Sequence, residues 1–327
     1  MVTSSRVGCS ITIPAALILA LPFSAAYAHQ DVPLLQPEIS KPVITLLENG
    51  AEPRQVLRFN PTPGDSDKQE MITRMSMEQS MGGMPLMSMS MPGIKVVMET
   101  VVEDVAANGD ITHVTRFIGA EILEGPEVMP ELRDQMAEAI AAIPNAESRS
   151  VSDSRGQVKS SETIFAEDVD PEVQLQMGSL TSTLDQVVFG LPEEAVGLGG
   201  SWKVEFTVSQ EGFSLKQAVI WTVKSVDGGL VTFDIEISQN AETQKVVSPL
   251  LPPEASMTLL SMEGQGTGSA ILDLARVVPQ QLEMRMESRT LMSIDFFGET
   301  EEMLQKMNME MLLRPAEDPG NGREALR

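Results

Sequence analysis

Met307-Asn308-Met309-Glu310-Met311-Leu312-Leu313 is the stretch whose reading decides the fold. Its composition favours a helix, since Met, Leu and Glu are all good helix formers. Its period points the other way. Around a helix, each two-residue step turns a side chain by about 200°, which scatters Met307, Met309, Met311 and Leu313 over the cylinder; in a strand they share one face. Only the strand removes all four from water together, so burial overrides propensity.

The same period extends outward along the chain. Leu282, Met284, Met286, Met292 and Ile294 form another one-faced set. Trp202, Val204, Phe206 and Val208 alternate with Lys203, Glu205 and Thr207, and Val231, Phe233, Ile235 and Ile237 alternate with Thr232, Asp234 and Glu236. These read as half-buried antiparallel strands. Asp227-Gly228-Gly229 supplies a hairpin turn and Pro249 to Pro253 a loop. Toward the N-terminus, Arg54 to Ile122 also runs with period two, with turns at Pro61 to Asp67, Gly82-Gly83 and Asn108-Gly109, and a further hairpin from Arg149 to Ile164 turns at Ser154-Arg155-Gly156.

Two stretches break the alternation. Pro130 leads Leu132, Met136, Ile140 and Ile143, and Asp170-Pro171 leads Val173, Met177, Leu180, Leu184 and Val187; both stripes step by three and four residues behind a helix-starting Pro. The expected organisation is a signal peptide over 1–28, a Pro-containing lead over 29–52 and an N-terminal β-rich part over 53–165. A helical connector over 166–200, a C-terminal β-rich part over 201–315 and a polar tail over 316–327 follow. The expected fold class is mainly β with a few helices (α+β): a curved antiparallel sheet or partly closed barrel, built as two similar β halves linked by helices, with helices against its concave side.

The first 28 residues look cleavable. Arg6 gives a positive start, Ile11 to Leu21 an apolar stretch, and Ala26-Tyr27-Ala28 a small-x-small site. The mature chain then begins at His29, and the protein is expected to be exported, periplasmic or extracellular. Cys9, the only cysteine, leaves with this segment, which excludes disulfides and cysteine chemistry from the mature chain. With 23 Lys+Arg against 47 Asp+Glu the net charge is −24, a balance that repels nucleic acid and anionic lipid headgroups. Beyond the N-terminus no apolar run is long enough for a transmembrane span.

Methionine is the compositional anomaly: 22 in all, with nine at 71, 75, 77, 81, 84, 87, 89, 91 and 98. Thioethers bind Cu(I), and Met-x-Met occurs at Met75/Met77, Met87/Met89 and Met89/Met91. Flexible Met side chains also fill irregular cores and repack around apolar ligands. Core packing is the plainest reading. A wall for an apolar small molecule or lipid, built from Met75, Met77, Met87, Met89 and Met91, comes next. Under a copper reading the ligands are His29, His113, Met87 and Met89, His29 contributing an imidazole and the mature chain's free amine. Otherwise no cofactor is implied.

Enzyme templates are not met. Gly266-Thr267-Gly268-Ser269 places its Ser after the second Gly, so no nucleophile elbow is present, and the glycines at 264, 266 and 268 lack the Lys and helix of a phosphate loop. Glu121 and Glu124 are one chance pair among many acids. A non-enzymatic protein is expected.

The Met71 to Met98 strands, Asn108-Gly109-Asp110, Ser154-Arg155-Gly156-Gln157-Val158 and Gly199-Gly200-Ser201-Trp202 resemble a family of exported bacterial proteins and lipoproteins of unknown function. The resemblance spans most of the mature chain. It implies an envelope location and a β-rich fold, and it supplies no catalytic residues; the chain departs from lipoprotein members in lacking a lipobox. The functional expectation is an exported, non-enzymatic envelope protein that binds an apolar ligand on a Met-rich inner face. A structural or assembly module of the envelope, or a periplasmic copper-binding protein, are the alternatives.

N-terminal sequencing of the exported protein is expected to start at His29. A mature form that still begins at Met1 would remove both the localisation and His29 as a copper ligand.

Overall fold

A computed structural model describes residues 38–125, 130–141, 146–165, 190–210, 213–246, 255–296 and 299–316. The period-two segments are strands. In chain order they are β1 (Glu38–Ile39), β2 (Val43–Glu48), β3 (Ser66–Met81), β4 (Met84–Ser90), β5 (Ile94–Val105), β6 (Ile111–Ile122), β7 (Ala146–Ser152) and β8 (Val158–Phe165). After these come β9 (Ser201–Gln210), β10 (Phe213–Asp227), β11 (Leu230–Ala241), β12 (Gln244–Val246), β13 (Ala255–Asp273), β14 (Gln281–Phe296) and β15 (Glu299–Pro315). One helix is described, α1 (Pro130–Ala141), between β6 and β7.

All 15 strands belong to one antiparallel sheet with the order β1-β9-β10-β11-β13-β14-β15-β3-β5-β6-β7-β8; β2 adds to β9, β4 to β3 and β12 to β13. This corrects the expected fold class. The chain is not an α+β arrangement of two β halves linked by helices, and among the described residues no strand pairing closes it into a barrel. Helix α1 divides nothing: β6 and β7, on either side of it, pair directly from Ile111 opposite Ser152 to Arg116 opposite Glu147. Of the expected helical connector, residues 190–200 carry no helix, while the expected helix over 171–187 and the loop over 249–253 lie outside the described residues.

The two ends of the chain meet where β15 pairs with β3. On the core face Met303, Met307 and Met309 lie opposite Met81, Met77 and Met75; on the other face Lys306, Glu310 and Arg314 lie opposite Glu78, Arg74 and Glu70. Arg314 holds the buried Glu70 carboxylate at 2.6 Å. A slip of one residue would turn the Met row to water and the charges inward, so both faces fix the register.

Antiparallel order places the connections 106–110, 153–157, 227–229 and 274–280 at one rim. That rim is clasped by two loops. Phe59 N–H donates to Ser154 O at 2.8 Å and Asn60 N–H to Leu274 O at 2.7 Å, while Gln55 exchanges backbone bonds with Val196. Arg155, in the β7–β8 turn, bonds Leu191 O at 2.7 Å and the Glu193 carboxylate at 2.8 Å. Residues 190–200 lead into β9, at the opposite end of the sheet order from β7 and β8, so the sheet curls until its two ends are tied at this base. Leu57, Phe59, Leu191 and Val196 plug it, above which Phe233 packs edge-on between Trp202 and Trp221 with ring centroids 5.6 and 5.7 Å away. Trp202 donates its indole N–H to Gly190 O.

Curling needs close approach on the core face, and β13 provides it. Gly264, Gly266 and Gly268 occupy three successive core-facing positions between β11 and β14. A Cβ on Gly266 would meet Arg285 O at 2.8 Å, and one on Gly268 would meet Glu283 O at 2.3 Å. Glycine inside a strand here admits the neighbouring backbone.

Gly268→Ala is therefore expected to destabilise the fold by about 1–3 kcal/mol in urea unfolding. Gly229→Ala, where the new Cβ meets only Asp273 Oδ1 at an ordinary 3.6 Å, is expected to stay within about 0.5 kcal/mol.

Candidate functional site

Opposed Met side chains build one continuous patch of the core face. Met286 faces Met309, which faces Met75; Met307 faces Met77, which faces Met89 on β4. Burial falls along this row. Met307 and Met311 on β15 are buried, whereas Met75, Met77, Met87, Met89 and Met91 at the β3–β4 margin are half-buried. Beyond β4 no strand covers its free edge among the described residues, and Met84 and Leu86 stand exposed. The structure thus gathers the five Met residues singled out by their spacing, and the Met91 N–H donates to Met75 O.

It does not gather the copper set. His113 lies on β6 opposite Val102 of β5, and Val101 lies opposite Ser66 at the start of β3. Met89 lies opposite Met77, eleven residues further along β3, or about 36 Å at strand rise. His29 is outside the described residues. No group of three His, Cys, Asp or Glu side chains able to hold a metal occurs among those described.

His113 sits in a polar neighbourhood of its own. Across β5 to β8 the core face carries hydroxyls: Thr100 bonds Thr115 at 2.9 Å, and Ser161 bonds Ser150 at 3.0 Å. His113 lies opposite Ser150, yet its Nδ1 is buried with no hydrogen-bond partner. Burial pushes the imidazole below its ordinary value.

A second polar row crosses the apolar face itself, and the sequence reading missed it. Gln217 on β10 lies opposite Gln239 on β11, Gln239 opposite Gly264 on β13, and Gly264 opposite Ser288 on β14. Two residues along, Thr290 lies opposite Gln305 on β15, and Gln305 opposite Gln79 on β3. All occupy core-facing positions, flanked along their own strands by Ile237 and Ala241, Met286 and Met292, Met303 and Met307, or Met77 and Met81. The signal was a polar residue in the apolar phase of a strand. Gln239 donates to Gln217 Oε1 at 2.6 Å and Gln79 to Gln305 Oε1 at 3.2 Å. The carbonyl oxygens Gln79 Oε1 and Gln239 Oε1 remain buried and unpaired. Each such acceptor costs about 1–3 kcal/mol unless something donates to it.

An open groove of about 580 Å³ lies elsewhere, between Ser40, Lys41 and Val43 of the lead and the upper ends of β9 to β11. It is lined largely by polar and charged side chains and is separate from the Met patch.

DUF6263, a family of unknown function, matches residues 171–276. That stretch includes β9 through β13 and stops short of β14, β15 and the whole N-terminal meander, so it is narrower than the resemblance drawn from the turn motifs. No curated protein matches the chain. Among solved structures, OpdL of Pseudomonas aeruginosa aligns at 5% identity over 76% of this chain and 98% of its own, with a TM-score of 0.17. A loop-deletion mutant of OmpT, an outer membrane protein of Vibrio cholerae, aligns at 7% identity over 76% and 100%, with a TM-score of 0.15. OccK2 of Pseudomonas aeruginosa, solved in complex with glucuronate, aligns at 6% identity over 77% and 97%, with a TM-score of 0.18. Such scores lie below those of a shared fold. No described helix is long and apolar enough to cross a membrane.

For His113 the folded state favours the neutral ring, so its stabilising effect is complete above about pH 6.5 and is lost as pH falls toward the depressed folded value. Thermal stability is expected to drop on acidification from about pH 7 to pH 5.5, before most carboxylates titrate, and to drop less in His113→Gln. An identical pH profile in the variant would assign the loss to other groups.

Proposed function

We propose that this is an exported, non-enzymatic envelope protein that holds an apolar small molecule or lipid against the Met-rich part of its core face. The observation that carries the reading is the half-buried Met cluster at the β3–β4 margin. A core built only for stability would bury these side chains as completely as it buries Met292 and Met262. Instead five pliable thioether chains line one open margin, where they can repack around apolar shapes that a rigid Leu or Val surface would reject.

Export is supported by the order of the first 28 residues, and the non-enzymatic reading by a mature chain with two His and no Cys. A structural or assembly role, with the Met patch serving as a plain core margin, is the competing outcome of the same experiment.

Protein purified from its own cell envelope is expected to carry an apolar adduct under native mass spectrometry and, once stripped, to bind N-phenyl-1-naphthylamine saturably. Met89→Asp would weaken that binding by about tenfold or more by placing a charge in the apolar wall, whereas Ser88→Asp, on the solvent side of the same strand, would leave it unchanged. No adduct together with no saturable dye binding would leave the structural role.

A further inference from the structure

The polar row gives the apolar wall a second chemistry. Gln79 is 3% and Gln239 8% exposed, and each uses its amide N–H on a neighbouring Gln while leaving its carbonyl oxygen without a donor. Native interiors seldom leave such groups unpaired unless something outside the protein completes them. Gln79 belongs to the Met patch: it lies opposite Met87, and its Nε2 approaches Met77 Sδ at 3.7 Å, whereas Gln239 lies on β11, with β13, β14 and β15 between it and β3. Gln239 folds over a missing side chain, since a Cβ on Gly264 would meet Gln239 Oε1 at 3.0 Å. Across the six strands that carry the row, its core-facing positions hold amides, hydroxyls and glycine, with no Lys, Arg, Asp or Glu.

We propose that the Gln79 end of this row is the head-group site for a neutral amphiphile. The head carries hydroxyl or amide groups, one of which donates to Gln79 Oε1, and the hydrocarbon tail lies on Met75, Met77, Met87 and Met89. The uncharged lining sets the class of head. A carboxylate, phosphate or ammonium placed there meets no opposite charge and loses its hydration, whereas a hydroxyl exchanges water for the waiting carbonyl. The inference rests on the Met face being a ligand wall, and it adds what that wall selects.

Three compounds with one oleyl chain separate head from tail: 1-monooleoylglycerol, oleate and oleylamine, each competed against N-phenyl-1-naphthylamine. The protein is expected to prefer the glycerol ester over both charged compounds by about tenfold, the scale of one buried acceptor gaining or lacking its donor. Gln79→Met, which keeps side-chain length and removes the amide, is expected to abolish the preference and leave dye binding intact, whereas Gln239→Met, four strands away in the sheet order, is expected to leave both unchanged. Dye binding with no preference among the three heads, or a preference that survives Gln79→Met, would overturn the head-group site and leave the apolar wall standing. Failure of the wild-type protein to bind the dye or any of the three would overturn both. Should Gln79→Met also lose dye binding through misfolding, Gln79→Asn, which keeps the amide but withdraws its carbonyl by one methylene, decides the matter: a weakened preference supports the site and an unchanged one overturns it.

Discussion

The pairing of β15 with β3 is the constraint on which the rest of the sheet depends. Without it, the chain is two meanders, each ending in a long edge of unpaired backbone groups, the template on which strands from other molecules add. Joining them removes two edges at once. The join links residues far apart in sequence, with Arg314 bonded to Glu70 across 244 positions, so local order contributes nothing to it. Its specificity comes from two independent codes on the two faces of one ladder. Met meets Met on the core face, and Lys306, Glu310 and Arg314 meet Glu78, Arg74 and Glu70 on the other. Surface charge pairs add little stability singly, but three of them at four-residue steps penalise every odd register and, by opposing like signs, many even ones.

A single sheet this wide must bury one face without a second layer of similar size among the described residues, so it has to bend onto itself. The glycines at 264, 266 and 268 and the tied base are two parts of one solution. The first lets β13 and β14 approach closely on the core face, and the second holds the ends of the sheet order together through Arg155 and residues 190–200. Glycine is an expensive residue in a strand, having no side chain to pack and the most backbone freedom to lose. Three in successive core-facing positions therefore mark where curvature outweighs that cost. The motif that resembled a phosphate loop in its spacing is, in the folded chain, a hinge line of the sheet.

Much of this was legible before folding. The hairpins at Asn108-Gly109, Ser154 to Gly156 and Asp227 to Gly229 lie where their turn residues placed them, because a positive φ at Gly109, Gly156 and Gly228 is a local demand that the sequence meets locally. The strand reading of Met307 to Leu313 held against its composition because period reports burial. The division into two β halves failed for a physical reason. A separation in sequence, 53–165 against 201–315, was treated as a separation in space, yet β15 of the second part pairs directly with β3 of the first. Long-range pairing left only a faint trace, the complementary charges at four-residue steps on strands more than two hundred residues apart. The five Met residues of the candidate site were legible from spacing, whereas Gln79, Gln239 and Gln305 were not, because one polar residue in an apolar phase looks like tolerance at a strand's margin until its neighbours across the sheet are known.

The choice of methionine follows from the same geometry. Opposed side chains on adjacent strands of a bent sheet face each other at spacings that change from row to row, and a β-branched residue has one strongly preferred χ1 with which to fill them. Met has three rotatable bonds and adapts to each gap. At the glycine row of β13, Met284 and Met286 of β14 lie opposite Gly268 and Gly266. Toward β4 the same flexibility loses its packing rationale, since the Met side chains there are only half-buried and contribute less burial for the rotamer freedom they give up. Adaptability retained where the core no longer needs it is the property expected of a surface that receives something else.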